Sequence, residues 1–527
     1  MTHESPPLVK SAGLISLATI ISRILGLVRE TILAALFTRF QTDAFYAAFR
    51  IPNLLRDLFA EGAMSAAFVP TFTKILQRQG PQAAWHLASL VINFLVIVLG
   101  LIVLLGIFNA PWIVDIVVGG FKDEPGKSEL TVLLTRIMLP FLLLVALAAV
   151  AMGMLNCHGK FFIPALAPAV FNLGSVLVAL SLYWLLPDYG VDPVAGMAIG
   201  VIVGGALQVA VQLPSLFKLG FQYSLGFSFD HPGLKKILLL MGPGTLGLAA
   251  TQVNLLVNTI LASYQQQGAI TWLNFAFRVM YLPIGIFGVA IASAALPTLS
   301  AHATHHRIQQ LRDTLSSSLR LSLFFNVPAS LGLICLSHPV VSLIYERGRF
   351  TAADTLETGW ALIYYALGLA AYSAIKLMVP AFYALDRPRI PVLISAATLA
   401  LSITANLLLI DSMGYRVLAL VTSLAALLNA FLLYYWLQKT TGALQTAKIL
   451  TTLLKVLGAS LVMALGTFHL YRWLAGAFLP VAFAGKALIL ALSVTAGVSI
   501  YALCCRLIGV PELDQVLESI RRRLQSK

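Results

Sequence analysis

The feature that most constrains this chain is a succession of apolar blocks, each roughly twenty residues long, of which LVINFLVIVLGLIVLLGIF from Leu90 to Phe108 is one. The blocks are apolar on every side. They show neither the alternation of a barrel strand nor the polar face of a helix lying on a soluble core. A segment of this kind satisfies its own backbone inside a bilayer only as a helix. Composition agrees: 59% of the 527 residues are hydrophobic and 11% charged, where soluble domains carry about 25% charged residues, and the mean hydropathy is +0.89. The fold class is an all-α polytopic membrane protein.

Apolar segments between polar breaks number about fourteen: 8 to 37, 42 to 76, 84 to 108, 129 to 156, 164 to 186, 194 to 218, 234 to 264, 269 to 300, 311 to 336, 353 to 385, 389 to 410, 416 to 438, 446 to 474 and 482 to 508. An even count puts both termini on one side. Lys74, Arg78, Lys160, Lys218, Lys235, Lys236, Arg307, Arg312, Arg387, Arg389, Lys439, Lys448 and Arg521 to Arg523 fall on that side, against Arg39, Lys122, Lys127, Arg347, Arg349 and Arg416 opposite. The positive-inside rule then makes both termini cytoplasmic. The net charge of +14 is thus read as topology, and nucleic acid is not an expected partner, because no basic, aromatic-interleaved module carries it. Arg23 interrupts the first apolar run and no small-residue cleavage site follows, so that run is expected to be a retained span. From Pro511 onward, Leu513, Val516, Leu517, Ile520 and Leu524 recur at helical spacing opposite three arginines, the pattern of an interfacial helix and surface anchor.

An internal repeat organises the spans. Thr31-Ile32-Leu33-Ala34 recurs as Thr259-Ile260-Leu261-Ala262, and Ala48-Phe49-Arg50 as Ala276-Phe277-Arg278, at an offset of 228. Val69-Pro70-Thr71-Phe72 answers Leu296-Pro297-Thr298-Leu299, and Ile163-Pro164 answers Ile390-Pro391, at 227. Two parallel six-helix copies are expected, related by an axis along the membrane normal. The domains read as an N-terminal lobe at 1–220, a C-terminal lobe at 221–440, two additional helices at 441–510 and an amphipathic cytoplasmic tail at 511–527.

Charges inside spans are functional candidates because each costs at least about 2.5 kcal/mol to insert. Nearly all lie in spans 1, 2 and 8: Arg23, Arg29 and Glu30; Asp43, Arg50, Arg56, Asp57 and Glu61; and Arg278. Asp43 to Glu61 covers about 27 Å of helix, so these groups cannot all reach one interface. Arg278 occupies the place of Arg50 in the second copy, which makes a charged cavity between the halves the economical inference. Two readings stand. The arginines pair with the carboxylates and lock helices together, or a surplus of guanidinium binds an anion, whose phosphate form the planar donor fork matches.

Enzyme chemistry is not expected. There is no H-E-x-x-H and no dinucleotide fingerprint, and the one phosphate-loop lookalike, Gly126-Lys127-Ser128, has Phe121 where the leading glycine belongs. With no ATPase encoded, the driving force falls to ion gradients, membrane potential or substrate turnover, and no cofactor is expected beyond a monovalent cation. Neutral oxygens for one occur at Gln252, Asn254, Asn258, Ser402, Asn406 and Thr422, although such groups also simply bond helix to helix. Cys157, Cys335, Cys504 and Cys505 form no C-x-x-C pair and read as core or lipid-facing. His302, His305 and His306 read as a solvated turn, and Lys376 in span 10 stands isolated.

These motifs together resemble the MurJ (MviN) family of lipid II flippases, in the multidrug/oligosaccharidyl-lipid/polysaccharide exporter superfamily. The resemblance is carried by Ser22-Arg23-Ile24-Leu25-Gly26 with Arg29, Thr42-Asp43-Ala44-Phe45, and Pro52-Asn53-Leu54-Leu55-Arg56 running into Phe59-Ala60-Glu61-Gly62-Ala63. Leu155-Asn156, Pro164-Ala165, Pro168, Met241-Gly242-Pro243, Arg278, Arg347-Gly348-Arg349-Phe350, and Pro380 with Phe382-Tyr383 extend it over almost the whole chain. It implies a fourteen-helix flippase of the bacterial inner membrane that serves peptidoglycan synthesis, cell-wall biogenesis and cell shape. Such a protein moves undecaprenyl-diphosphate-linked disaccharide-pentapeptide from the cytoplasmic to the periplasmic leaflet by alternating access. Headgroup binding carries over onto Arg23, Arg29, Arg56 and Arg278, with Arg50, Asp43, Glu61 and Asn53 completing the substrate-binding set. The family's cation site is echoed by Asn254, Asn406 and Thr422, and spans 13 and 14 would form a groove for the polyprenyl tail. The expected partners are lipid II, membrane lipids and the cell-wall synthesis machinery. The chain departs from the family at Asp57, where a second basic residue is common, at Phe277 and Tyr281, where acids are common, and at Glu30, where Asp is frequent. The alternatives are a flippase for another polyprenyl-linked saccharide, a drug or ion antiporter of the superfamily, and a non-transporting cell-wall scaffold.

Overall fold

The computed structural model describes residues 8–57, 63–226, 228, 230–478 and 483–525. Among them there is no strand. The first helices are α1 (Leu8–Leu36), α2 (Arg39–Arg56), α3 (Ala63–Gln79), α4 (Pro81–Phe108), α5 (Ala110–Val117), α6 (Lys127–Met138), α7 (Phe141–Cys157), α8 (Phe162–Leu185), α9 (Ala195–Ala210), α10 (Leu213–Lys218) and α11 (Pro232–Ser263). Then come α12 (Ala269–Pro283), α13 (Val289–Thr304), α14 (Ile308–Cys335), α15 (Ser337–Tyr345), α16 (Ala352–Ala366), α17 (Leu369–Ala384), α18 (Arg389–Met413), α19 (Arg416–Thr441), α20 (Thr446–Phe478), α21 (Phe483–Ile508) and α22 (Pro511–Gln525).

The chain is an all-α polytopic membrane protein, and each apolar segment of the sequence falls on one of these helices or on a consecutive pair. By length and apolarity alone, ten helices or joined runs among the described residues suffice to cross a membrane, or eleven if α16 and α17, bent by 44°, form one span. That number is compatible with fourteen, since charges inside helices count against a span on those criteria. Breaks inside spans have local causes. Pro283 cannot donate to the helix ladder, and a five-residue π segment, Ile284–Gly288, follows it between α12 and α13. Starts are marked too: Thr38 and Gln41 make a reciprocal capping box at α2, and Thr351 and Asp354 make one at α16. The short helices α5 and α15 carry no signal in the span pattern.

Packing divides the chain into two compact units, Met1–Thr271 with Arg347–Phe350, and Trp272–Glu346 with Thr351–Lys527. In the first, α8 packs on α1 and α9, α3 on α11 and α2 on α6. Glycines at four-residue spacing, Gly196, Gly200 and Gly204, let α9 press against α8. A Cβ on Gly200 would stand 2.5 Å from the Ser175 carbonyl oxygen, and one on Gly204 2.6 Å from that of Phe171, the small-residue solution to helix association in lipid. In the second unit, α14 packs on α20, α20 on α21 and α18 on α19. Its core gathers Leu299, Leu311, Leu315, Leu377, Phe382 and Leu433. A further cluster around Phe324, Val456, Tyr501 and Cys505 receives Leu513 and Val516 of α22. The tail helix is also pinned by Glu512, fully buried, which accepts from Arg320 at 3.2 Å and from Thr452 at 3.3 Å. A surface-anchor pattern therefore includes a buried ionic root.

Candidate functional site

The basic residues singled out in spans 1 and 2 all lie in the first unit, and the structure separates them by what they already hold. Arg29 is buried, donates to Glu30 at 2.8 Å and lies over the Phe171 ring, 5.5 Å from its centroid. Glu30 also accepts from the Tyr46 hydroxyl. Arg56 grips Asp57 through Nε at 3.0 Å and Nη2 at 2.8 Å, and the other Asp57 oxygen accepts from Gln252 at 2.7 Å. Both Arg56 bonds fall on one Asp57 oxygen, which leaves the other for Gln252. Arg50 donates through Nε to Thr259 at 3.2 Å. Arg23, half-buried, has no carboxylate partner among the described residues. The Asn53 side-chain oxygen is buried without a hydrogen-bond donor. Glu61 lies outside the described residues.

Asp43 occupies a different setting. Its carboxylate accepts from Lys127 Nζ at 3.1 Å, from the backbone N–H groups of Gly268 at 2.7 Å and Thr271 at 2.9 Å, and from the Thr271 hydroxyl at 2.7 Å. Lys127, 1% exposed, also holds Glu124 at 2.8 Å and sits 4.1 Å from the Phe121 ring centroid. Gln267 donates to the second oxygen of Glu124 at 2.5 Å. With four donors, one of them a buried ammonium, Asp43 has little accepting capacity left. It fastens the starts of α2 and α6 to the turn between α11 and α12.

The repeat has a counterpart of this lock. The 227-residue offset carries Lys127 onto Asp354, and in the second unit Asp354, 1% exposed, accepts from the Trp272 indole at 2.9 Å. Trp272 follows Thr271, the residue that the 228-residue offset pairs with Asp43. Each copy therefore pins the start of its second helix with a buried charge at the start of a later one, but the chemistry differs: lysine to carboxylate in one, carboxylate to indole in the other. Sequence reading placed Lys127 among the charges opposite the termini and missed it as the partner of Asp43, whose need for a buried counter-charge was the signal that could have pointed to it.

In the second unit Arg278 stands exposed on α12. Beside it Phe277 packs edge-on against Tyr365 at 5.4 Å and stacks with Tyr281 at 5.8 Å. Aromatic rings thus flank Arg278 at positions 277 and 281. Of the cation candidates, Asn254 lies in the first unit with its side-chain oxygen buried and unbonded. Asn406 and Thr422 are buried in the second, where the Thr422 hydroxyl donates to the Leu418 carbonyl at 2.6 Å. No cluster of three His, Cys, Asp or Glu that could hold a metal ion occurs among the described residues. All four cysteines are free.

Comparison with known proteins bears on these residues. A family model described as Lipid II flippase MurJ matches residues 32–486. "Lipid II flippase MurJ" of Burkholderia cenocepacia is 36% identical over 459 residues, 86% of this chain and 87% of its own. "Probable lipid II flippase MurJ" of Vibrio cholerae is 36% identical over 440 residues, 82% of this chain and 83% of its own. A solved structure titled lipid II flippase MurJ, inward closed conformation, is similar with a TM-score of 0.76 and 26% identity, covering 94% of this chain and 99% of that one. A multidrug resistance transporter of the MATE family in an inward-facing conformation shares the fold alone, with a TM-score of 0.69 at 14% identity, covering 81% of this chain and 96% of that one.

Proposed function

This chain belongs to the lipid II flippase MurJ family, and on that premise we propose that it moves lipid II, the undecaprenyl-diphosphate-linked disaccharide-pentapeptide, from the cytoplasmic to the periplasmic leaflet of the bacterial inner membrane by alternating access. The observation that carries the reading is a set of guanidinium groups within apolar helices that neighbouring carboxylates do not fully neutralise. Arg23 is without an acid among the described residues, and Arg278 adds a further guanidinium within α12. Such groups are costly in a membrane unless an anion meets them. A diphosphate headgroup supplies that anion, while the polyprenyl tail stays in hydrocarbon.

Arg23, Arg29, Arg56 and Arg278 bind the headgroup, and Asn53 offers a buried acceptor to its sugars or amides. Asp57 and Glu30 hold Arg56 and Arg29 in fixed orientations, so that the guanidinium faces turned away from the acids meet the phosphates without paying for ordering at the moment of binding. Asp43 and Arg50 serve as fasteners, and Glu61 remains in the proposed set by its place in the motif. Both termini are cytoplasmic, and α20 and α21 form the groove for the lipid tail. The chain carries out transport and no bond-making chemistry. A monovalent cation at Asn254, Asn406 and Thr422, or the membrane potential, supplies the drive, and the cell-wall synthesis machinery is the neighbouring partner.

The test is complementation of a flippase-depleted strain, with lipid II exposure read as cleavage by an impermeant enzyme added outside the cells. Wild type should restore cleavage, and Arg278→Ala at equal membrane abundance should not. Full restoration by Arg278→Ala would remove the arginines from the mechanism. No restoration by a correctly inserted wild type would overturn the substrate.

A further inference from the structure

The helices α20, α21 and α22 stand outside the repeat, so nothing in the duplicated core dictates where they sit. An ionic tie holds each end of α21 to that core. Near its start, Lys486 meets Glu346, the residue after α15, at 3.3 Å and the Ser342 hydroxyl at 3.3 Å. At its other end the tie runs through α22. Glu512 of α22 accepts from Arg320 of α14 at 3.2 Å and from Thr452 of α20 at 3.3 Å. Lys455 of α20 donates to the Gly509 carbonyl, in the turn that leads into α22, at 2.8 Å. The Tyr501 hydroxyl of α21 donates to the Phe324 carbonyl of α14 at 2.7 Å. One short helix thus fastens both added spans to α14.

Adhesion alone does not call for a charge here. Val510, Leu513 and Val516 pack against Phe324, Val456, Tyr501 and Cys505, Glu512 is fully buried, and the Arg320 side chain is 15% exposed. An apolar side chain would bury in such surroundings as well or better, because desolvating two charges offsets much of their attraction. A charge pair adds direction, since it holds only at one depth and one rotation of α22, whereas apolar contacts slide. Glu512 also suits the first turn of a helix opened by Pro511, where the backbone N–H groups favour an acid.

That direction is passed to α20 and α21. The two helices press together midway: a Cβ on Gly497 would collide with the Thr467 hydroxyl, and one on Gly466 would stand 2.9 Å from Ile500 Cδ1. With the crossing fixed there, the angle between the helices follows from what is fastened to their ends. Cys505 lies about 12 Å of helix beyond Gly497, and Thr452 about 21 Å before Gly466, so the fastening acts through a long lever. Toward these ends the exposed side chains, Leu450, Leu454 and Leu457 on α20 and Leu503 and Leu507 on α21, are apolar. A change of angle therefore reshapes an apolar surface and leaves the arginines of the first unit untouched.

We propose that Glu512 is a positioning residue for the lipid tail of the substrate: paired with Arg320, it sets α22 and through it the shape of the apolar surface that α20 and α21 offer to the polyprenyl chain. This rests on the lipid II reading above, in which those two helices form the tail groove. Glu512 touches no substrate. Its loss should weaken the hold on a long chain and leave headgroup recognition unchanged.

The experiment uses the full-length protein in nanodiscs. Binding is titrated with lipid II carrying its undecaprenyl chain and with lipid II carrying a farnesyl chain, for wild type, Glu512→Gln, Glu512→Asp, Arg320→Gln and the double variant Arg320→Gln/Glu512→Gln. Wild type should prefer the undecaprenyl form. Glu512→Gln should weaken that form by about fivefold, the lower end of coupling between separate sites, and bind the farnesyl form as wild type does. Glu512→Asp, which keeps the charge, should recover most of the preference, and the double variant should lose no more than either single. Should Glu512→Gln not survive purification, Arg320→Lys, which keeps the pair but shifts its geometry, carries the same test. A Glu512→Gln protein that keeps the full chain-length preference, or that loses both forms equally, overturns this inference alone. A wild type that binds both forms equally overturns the tail groove and the inference with it, and one that binds neither overturns the functional reading.

Discussion

Replacing Lys127 by methionine removes the charge and keeps most of the stem, so the change isolates the lock around Asp43. Lys127 is 1% exposed and lies 3.1 Å from Asp43 and 2.8 Å from Glu124. Removing one member of a buried pair costs about 3 to 5 kcal/mol, chiefly because the other charge is stranded. Asp43 keeps three donors from Gly268 and Thr271, each hydrogen bond to a charged group being worth about 1.5 to 3 kcal/mol, so the lower end, about 3 kcal/mol, is expected. Asp43→Asn costs a similar amount, since its amide NH2 would face the donors of Gly268 and Lys127. The double variant leaves no unpaired charge at this pair, and its cost should fall short of the sum by about 1 to 3 kcal/mol. The assay is thermal unfolding of the detergent-purified protein followed by tryptophan fluorescence. Each single variant should melt several degrees below wild type, and the double variant should melt clearly above the temperature at which the two single losses would add. Strictly additive losses, or a Lys127→Met variant that melts with wild type, would refute the assignment of this cluster as a coupled lock.

Two further outcomes follow from local geometry. His231 accepts the Gly233 N–H at 3.2 Å through Nδ1 as the cap of α11, with the His86 ring 6.0 Å away; partial burial and then the His86 charge lower its pKa. The neutral ring is the one that caps, so its stabilisation is present above the ordinary histidine value of about 6.5 and is lost as pH falls through the lowered folded value. His231→Asn should therefore flatten the acid side of the melting-temperature profile, and an unchanged profile would remove the cap from the account. Gly348 has φ +58, and a Cβ there would stand 2.1 Å from the Ala35 carbonyl oxygen, the same atom that accepts from Arg349 N–H at 2.9 Å. Gly348→Ala should cost more than the roughly 1 to 2 kcal/mol of a left-handed alanine, read as a lower melting temperature than Gly220→Ala, whose positive φ carries no such contact.

Much of the fold was legible because hydrocarbon imposes a simple rule on sequence: twenty apolar residues make a helix, and the fourteen segments read on that rule each fall on a helix or helix pair. The two short helices, α5 and α15, were not legible, since segments of eight and nine residues between spans carry no period that length alone can resolve. The candidate arginines were legible for the opposite reason, as charges where none should be. What the sequence could not supply was their pairing. Asp57 adjoins Arg56 in sequence and pairs with it, whereas Asp43 finds Lys127 across 84 residues. Lys127 itself stood in plain view within Gly126-Lys127-Ser128, where a lysine after glycine suggests a phosphate, and among the charges assigned to the loops opposite the termini. Its burial gives it a structural use that neither reading foresaw. A lysine with two carboxylates and an aromatic face around its ammonium has no capacity left for a phosphate. The repeat makes the same point from the other side. Asp354, its equivalent, carries the opposite charge and holds an indole, so what the duplication retained is the place of the fastening and not its chemistry. In a membrane protein built from two copies, equivalent positions therefore predict where helices must be tied, while the residue that ties them must be read from each copy's own neighbours.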